Sequence, residues 1–251
     1  MNFRDQATLK VSSGAEVSVA DSGALRFDNF AASFAQGTRL TAKTPGLIEV
    51  KNSSSLTASA DVLLNGNALS DRLTQNAIKT SGAASFVKII NLTAGNLISN
   101  VRELLGGAEA FKDNAKLHGE GSIEVASGTH DIKEGFDTLK LSKVTADGAG
   151  TRVDFETNDS YVTLGQGKIS GKGLVRVQNN SALNMAKGAF EVTSGGRLEL
   201  EDTGALSLDN GSTASFAAGT QFQSAAGSKF ELKGGSSLTR RRRGVFRRRG
   251  A

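Results

Sequence analysis

The chain repeats itself over a long period. Residues 190–239 repeat residues 9–57. The clearest match sets VSSGAEVSVADSGALRFDN, opening at Val11, beside VTSGGRLELEDTGALSLDN, opening at Val192. The offset is constant up to Asn29/Asn210 and grows by one position after an insertion near Gly211. Gly23/Gly204, Leu25/Leu206, Asp28/Asp209, Phe34/Phe216, Gly37/Gly219 and Leu56/Leu238 are among the identities. Such self-similarity points to a stacked-repeat architecture.

A finer period lies inside the long one. Apolar residues come in alternating pairs such as Leu9/Val11, Val17/Val19, Leu25/Phe27, Ile48/Val50, Val62/Leu64, Ile123/Val125, Val153/Phe155, Val175/Val177, Leu198/Leu200 and Phe230/Leu232. Alternation marks a strand with one buried face. Many successive pairs sit about eight residues apart. The gaps hold SSG, DSG, NSSS, TNDS, QNNS, DTG and DNG, residues that tolerate left-handed backbone angles in turns. A meandering sandwich needs longer strands. A parallel solenoid needs only a neighbour for each rung and extends indefinitely. The single proline in 251 residues agrees, because an internal strand uses its N–H groups on both edges. The expected fold class is therefore all-β: a right-handed parallel β-helix (β-solenoid) with a helical insertion around residues 67–111. Rungs of about 20 residues would stack about nine deep.

The expected organisation is solenoid rungs over 1–66, a mixed helical insertion over 67–111, solenoid rungs again over 112–239, and an Arg-rich tail over 240–251. Within the insertion Leu69, Leu73 and Ala77, then Leu97, Val101, Leu104, Leu105 and Ala108, follow helical spacing. Ser70, Asp71 and Asn96 are candidate caps, and SFVKIINL between them reads as a strand.

The formal charge of +5 resides in the tail. Arg240, Arg241, Arg242, Arg243, Arg247, Arg248 and Arg249 supply seven positive charges, so the remaining chain carries −2. No specific nucleic-acid partner is expected for that body. A genuine tail would contact anionic partners through these arginines. The tail breaks off from the repeat after Thr239, and CGN arginine codons read in either other frame give residues that suit the repeat. It is therefore expected to be disordered or out of frame. Cysteine is absent, which removes any disulfide framework and suits a chain that crosses an oxidising periplasm unfolded. No run of about 18 apolar residues is present. The N-terminus lacks the layout of a signal peptide, so Met1 is expected to start an internal fragment.

The motifs GAxhxh and GxhxhxxxGAL (h, apolar), as in GRLELEDTGALSLDN at Gly196–Asn210, resemble bacterial autotransporter passenger domains and related large β-helical adhesins. The resemblance covers about three quarters of the chain. It implies secretion to the outer-membrane surface, a long right-handed β-helix, and adhesion or aggregation, with relevance to virulence. The implied function is a structural and adhesive segment of a repetitive extracellular surface protein. Its partners would be a host surface, matrix or glycan ligand, or its own kind on another cell.

Chemistry-bearing residues are sparse, and no catalytic, cofactor-binding or metal-binding residue is assigned. His118 and His130 lie in turn-like contexts without a third ligand. No GxSxG elbow occurs. A glycan-active β-helix enzyme, lyase or hydrolase, is the alternative. Its carboxylates would come from Asp131, Glu134, Asp137, Asp147, Asp154, Glu156 and Asp159, whose spacing shows no regular stacking. A phage tail-spike-like fibre is a third reading.

Overall fold

The computed structural model describes residues 1–43, 45–64, 77–95, 101–133, 135–158 and 161–241, and the backbone of 245–248. The chain divides into two compact units: Met1–Leu92, Asn100–Glu120 and Gly135–Asp137, then Thr93–Ser99, Gly121–Glu134 and Thr138–Ala251. Each is a parallel β-solenoid, as the alternating pairs predict.

The first unit winds through three faces. One carries β2 (Thr8–Val11), β5 (Ala31–Phe34), β8 (Ser55–Ser59) and β10 (Phe86–Leu92). The next pairs β3 (Glu16–Val19) with β6 (Arg39–Ala42). The third carries β1 (Asn2–Phe3), β4 (Ala24–Asp28), β7 (Leu47–Lys51), β9 (Ile78–Ser81) and β11 (Phe111–Lys112). The first coils are nearly equal in length: Thr8 lies opposite Ala31, and Ala31 opposite Ser55. In-register pairing stacks inward residues in columns: Leu25 on Ile48 on Ile78, and Ala32 on Leu56 on Val87. All six are at most 4 % exposed.

Within 67–111, where a mixed helical insertion is expected, helical turns and strands alternate. β9, β10 and β11 are rungs of the solenoid itself. Two successive coils are longer than the rest, with Ile48 opposite Ile78, Ser55 opposite Phe86 and Thr80 opposite Phe111. The surplus in each falls between β8 and β9 and between β10 and β11. Among the described residues these stretches hold three single-turn helices: α1 (Ala60–Leu63), α2 (Val101–Leu104) and α3 (Gly107–Ala110). The pair Val62/Leu64 thus belongs to a helical turn and its cap, not to a strand. Val62, Leu63 and Leu64 are all buried, and three neighbours cannot share the inner face of a strand. Leu69, Ser70, Asp71, Leu73, Asn96 and Leu97 lie outside the described residues. No described helix is long and apolar enough to cross a membrane.

The second unit has one sheet of β13 (Thr129–Lys133), β15 (Arg152–Glu156), β17 (Leu174–Val177), β19 (Arg197–Leu200), β22 (Gln221–Ser224) and β25 (Val245–Arg248). Its other two faces are built from long strands that run round a corner. These are β14 (Thr138–Asp147), β16 (Tyr161–Ser170) and β18 (Ala182–Val192). The first half of β18 pairs with β20 (Ala205–Asp209), which pairs with β23 (Lys229–Leu232). Its second half pairs with β21 (Thr213–Phe216), which pairs with β24 (Ser237–Arg240). β12 (Lys116–Val125) contributes residues to both units. The tail continues the pattern, since Val245 and Phe246 stand opposite Gln221 and Phe222.

The long repeat is a structural repeat. β3, β4, β5, β6, β7 and β8 recur in order as β19, β20, β21, β22, β23 and β24. Their turns recur too: Asp21 and Asp202 have φ of 49° and 50°, and Asn29 and Asn210 both 53°. At the turn before β20, Gly204 donates its N–H to Glu201 O at 2.8 Å. A Cβ there would lie 2.0 Å from Val177 O in the coil before, so no side chain fits. Buried serines close other corners. Ser54, Ser181 and Ser212 accept hydrogen bonds from the backbone N–H of Phe30, Thr157 and Gly188, one coil earlier. Ser212 also donates to Asp209 O at 2.6 Å within its own turn.

The core balances volume between coils. Phe190 is 1 % exposed and stacks between Gly167 and Ala214. A Cβ on Gly167 would lie 2.3 Å from the Phe190 ring, so the glycine makes the space the ring fills. Phe190→Ala should destabilise the second unit by about 3–5 kcal/mol through loss of burial plus a cavity. Denaturant titration followed by tyrosine fluorescence reads that unit alone, because Tyr161 is the sole tyrosine and tryptophan is absent. A change below about 1 kcal/mol would contradict the packing described.

Candidate functional site

The densest charged cluster among the described residues lies on the outer face of the β13–β15–β17–β19 sheet. In-register pairing places Asp131, Asp154, Arg176 and Glu199 in one row across four strands. Arg152 and Glu156 flank Asp154 on its own strand, and Lys133 stands opposite Glu156. Asp154 is 1 % exposed although its side chain points away from the core. Two guanidinium groups cover it. Arg152 Nε donates to Oδ1 at 2.7 Å, and Arg176 donates Nη2 to Oδ2 at 2.9 Å. Arg176 Nη1 then reaches Glu201 at 3.2 Å, and Gln178 donates to Glu156.

Burial pushes the Asp154 carboxyl above the ordinary aspartate range, and the nearby Asp131 and Glu156 add to the rise against the pull of Arg152. The hydrogen bond to Asp154 raises Arg152 in turn. A carboxylate enclosed by two arginines has no open side for substrate or water, so this arrangement fastens successive coils together. The expectation that Asp131–Asp159 carboxylates do not stack is corrected here for Asp131 and Asp154, which lie in register. Their order follows once the coil length is known, since Asp131 and Asp154 are one coil apart.

The other sequence candidates are dispersed. Asp147 accepts a hydrogen bond from Ser170 at 2.8 Å. Asp137 belongs to the first unit, where it accepts the Leu117 N–H at 2.8 Å and Lys116 Nζ at 3.1 Å and also pairs with Arg102. Burial acts to raise its pKa, but the Leu117 N–H, Lys116 and Arg102 outweigh it and hold the carboxyl below the usual range. Glu134 and Asp159 lie outside the described residues. His118 and His130 sit on β12 and β13 instead of in turns. His118 meets the Phe86 ring edge-on at 5.3 Å between centroids. Among the described residues, no three His, Asp or Glu side chains are grouped to hold a metal ion.

A second feature escaped sequence reading. On the face formed by β16, β18, β20 and β23, outward side chains bound a cleft of about 410 Å³. Tyr161, 57 % exposed, stands on one rim and Lys233 on the other. Small side chains, Ala186 and Ser207 among them, form the floor between.

No protein-family model, curated protein sequence or solved structure matches the chain.

The two carboxylates Asp137 and Asp154 should give opposite pH slopes. Asp137, with its pKa depressed in the fold, stabilises above the ordinary aspartate range, and that stability is lost as pH falls through its folded pKa. Asp137→Asn should therefore lose about 1–2 kcal/mol at neutral pH and show a shallower acid loss than wild type, by circular dichroism. Asp154, with its pKa raised, contributes less as pH climbs through the ordinary range. Arg176→Met, which leaves that carboxylate under-compensated, should lose about 2 kcal/mol at neutral pH and recover on acidification. A pH-independent loss would count against the buried ion cluster.

Proposed function

We propose that the chain is a structural and adhesive segment of a repetitive bacterial cell-surface protein, similar to an autotransporter passenger, that binds by multivalent contacts along its coils. The observation that carries this reading is the in-register display of side chains. Thr163, Asn184, Ser207 and Glu231 form one outward row over four strands, and Tyr161, Ala182, Ala205 and Lys229 form the next. Neighbouring strands lie about 4.8 Å apart. A surface that repeats at this spacing offers many weak contacts at a high effective concentration.

The alternative, a glycan-active enzyme, has less support. Asp154, the most deeply buried of the described carboxylates in the expected acidic zone, is neutralised by Arg152 and Arg176. Glycoside hydrolysis needs two carboxyl groups facing a substrate. The short hydroxyl, amide and methyl groups of the outer rows suit contact more than chemistry.

The reading is tested by coupling the full chain to beads at graded density and measuring retention on mammalian cells and extracellular matrix. Avidity predicts that retention rises more steeply than linearly with density. Retention no greater than that of albumin-coated beads at every density would overturn the adhesive reading. Release of reducing ends from polysaccharide would favour the enzyme instead.

A further inference from the structure

The cleft on the second unit is open to a more specific assignment. Its walls come from adjacent rungs of different side-chain height. Tyr161 projects from β16, while the positions opposite it on β18 and β20 are Ala182 and Ala205. The next row along, Thr163, Asn184 and Ser207, is polar and short. Beyond them β23 raises Lys229 and Glu231, with Lys233 just after it. The result is a trough two small-residue strands wide, with an aromatic ring on one side and a Lys233–Glu231 ion pair at 2.7 Å on the other.

The polar groups of the floor are partly committed and partly available. Asn184 Nδ2 donates to Val162 O at 3.3 Å and Ala182 O at 3.4 Å. Its Oδ1 remains as an acceptor. The hydroxyls of Thr163 and Ser207 make no hydrogen bond among the described residues, and each is both donor and acceptor. A volume of about 410 Å³ falls within the usual range of small-ligand sites.

Three partner classes fit poorly. Peptide addition by strand pairing needs an open edge, whereas β16, β18 and β20 are each hydrogen-bonded on both sides. An amphipathic helix needs a continuous apolar groove, and here hydroxyl and amide groups interrupt the small side chains of the floor. Nucleic acid needs a net positive track, and Lys233 in the lining is balanced by Asp209. A sugar ring combines an apolar C–H face with a rim of hydroxyls. It matches a ring to stack on beside a row of short donors and acceptors.

We propose that this trough binds a neutral saccharide chain, with one sugar ring stacked on Tyr161 and its hydroxyls bonded to Thr163, Asn184 and Ser207. The proposal supplies a ligand class for the adhesive reading and rests on it. Its geometry also supplies its own reporter, because Tyr161 is the sole tyrosine and no tryptophan is present.

The test titrates the full chain with neutral linear oligosaccharides of hexose and N-acetylhexosamine, about four to six sugars long so as to cross the trough. Tyrosine fluorescence should change saturably, and saturation-transfer NMR should show enhancement on the sugar C–H protons. Tyr161→Ala should weaken binding about tenfold by NMR, and Tyr161→Phe should stay within about threefold of wild type. Ala186→Arg, which fills the trough and leaves the tyrosine in place, should also abolish the fluorescence change. Both positions point outward, and circular dichroism checks that the fold is kept. No saturable response from any saccharide, or equal binding by wild type and Tyr161→Ala, overturns the proposal. So does binding confined to sulfated glycans and lost in Lys229→Ala. Bead retention that survives Tyr161→Ala would sink this assignment and leave the adhesive reading standing. Saccharide binding without bead retention would do the reverse.

Discussion

Parallel, in-register pairing between coils is the interaction on which the rest of the structure depends. Each internal strand gives its N–H and C=O groups to a strand one coil earlier and one coil later. That arrangement satisfies the backbone without long strands or a large core. It holds only if each coil returns to the same register. Coils of nearly constant length achieve this in most of the chain, through tight turns closed by glycines such as Gly204 and by buried serines such as Ser54 and Ser212. Where a coil is longer, as between Ser55 and Phe86, the strands still meet in register.

Once register is fixed, side chains act in rows. Inside, the rows become columns of Leu, Ile, Val and Phe, and volume is shared between coils, as Gly167 makes room for Phe190. Outside, the same stacking turns isolated charges into ladders. Most outer ion pairs, such as Lys143–Glu124 at 2.8 Å, are exposed and contribute little each. Asp154 is the exception, because Arg152 and Arg176 remove it from water, so its charge bears on stability. The trough beside Tyr161 follows from the same rule: short side chains such as Ala186 and Ser207 on two neighbouring rungs, beside a rung that carries a tyrosine, leave a gap.

Much of the fold was legible. The alternating pairs marked the strands, and NSSS and QNNS marked corners with serines that the structure shows to be buried hydrogen-bonding groups. Within residues 67–111 the described chain combines helical turns with rungs. Val101 and Leu105 are indeed buried near single helical turns, yet the strands Ile78–Ser81 and Phe86–Leu92 remain rungs of the solenoid. Periodicity within a segment cannot tell helical turns set between rungs from a segment that is helical throughout, because both present an apolar face over a short stretch.

The sequence by itself determined that this chain is built of short half-buried strands joined by left-handed turns, and that one block of strands occurs twice. Those properties are local, and each turn or strand carries its own signal. Tertiary structure alone decided which residues share a row. Coil length is the sum of several turn and strand lengths, and it varies. The step from Tyr161 to its partner Ala182 is shorter than the step from Leu174 to Arg197, and the step from Arg197 to Gln221 is longer than both. An error of a single position moves a side chain to the opposite face. The Asp131–Asp154–Arg176–Glu199 row and the trough at Tyr161 therefore exist only in the register that the stacked backbone selects.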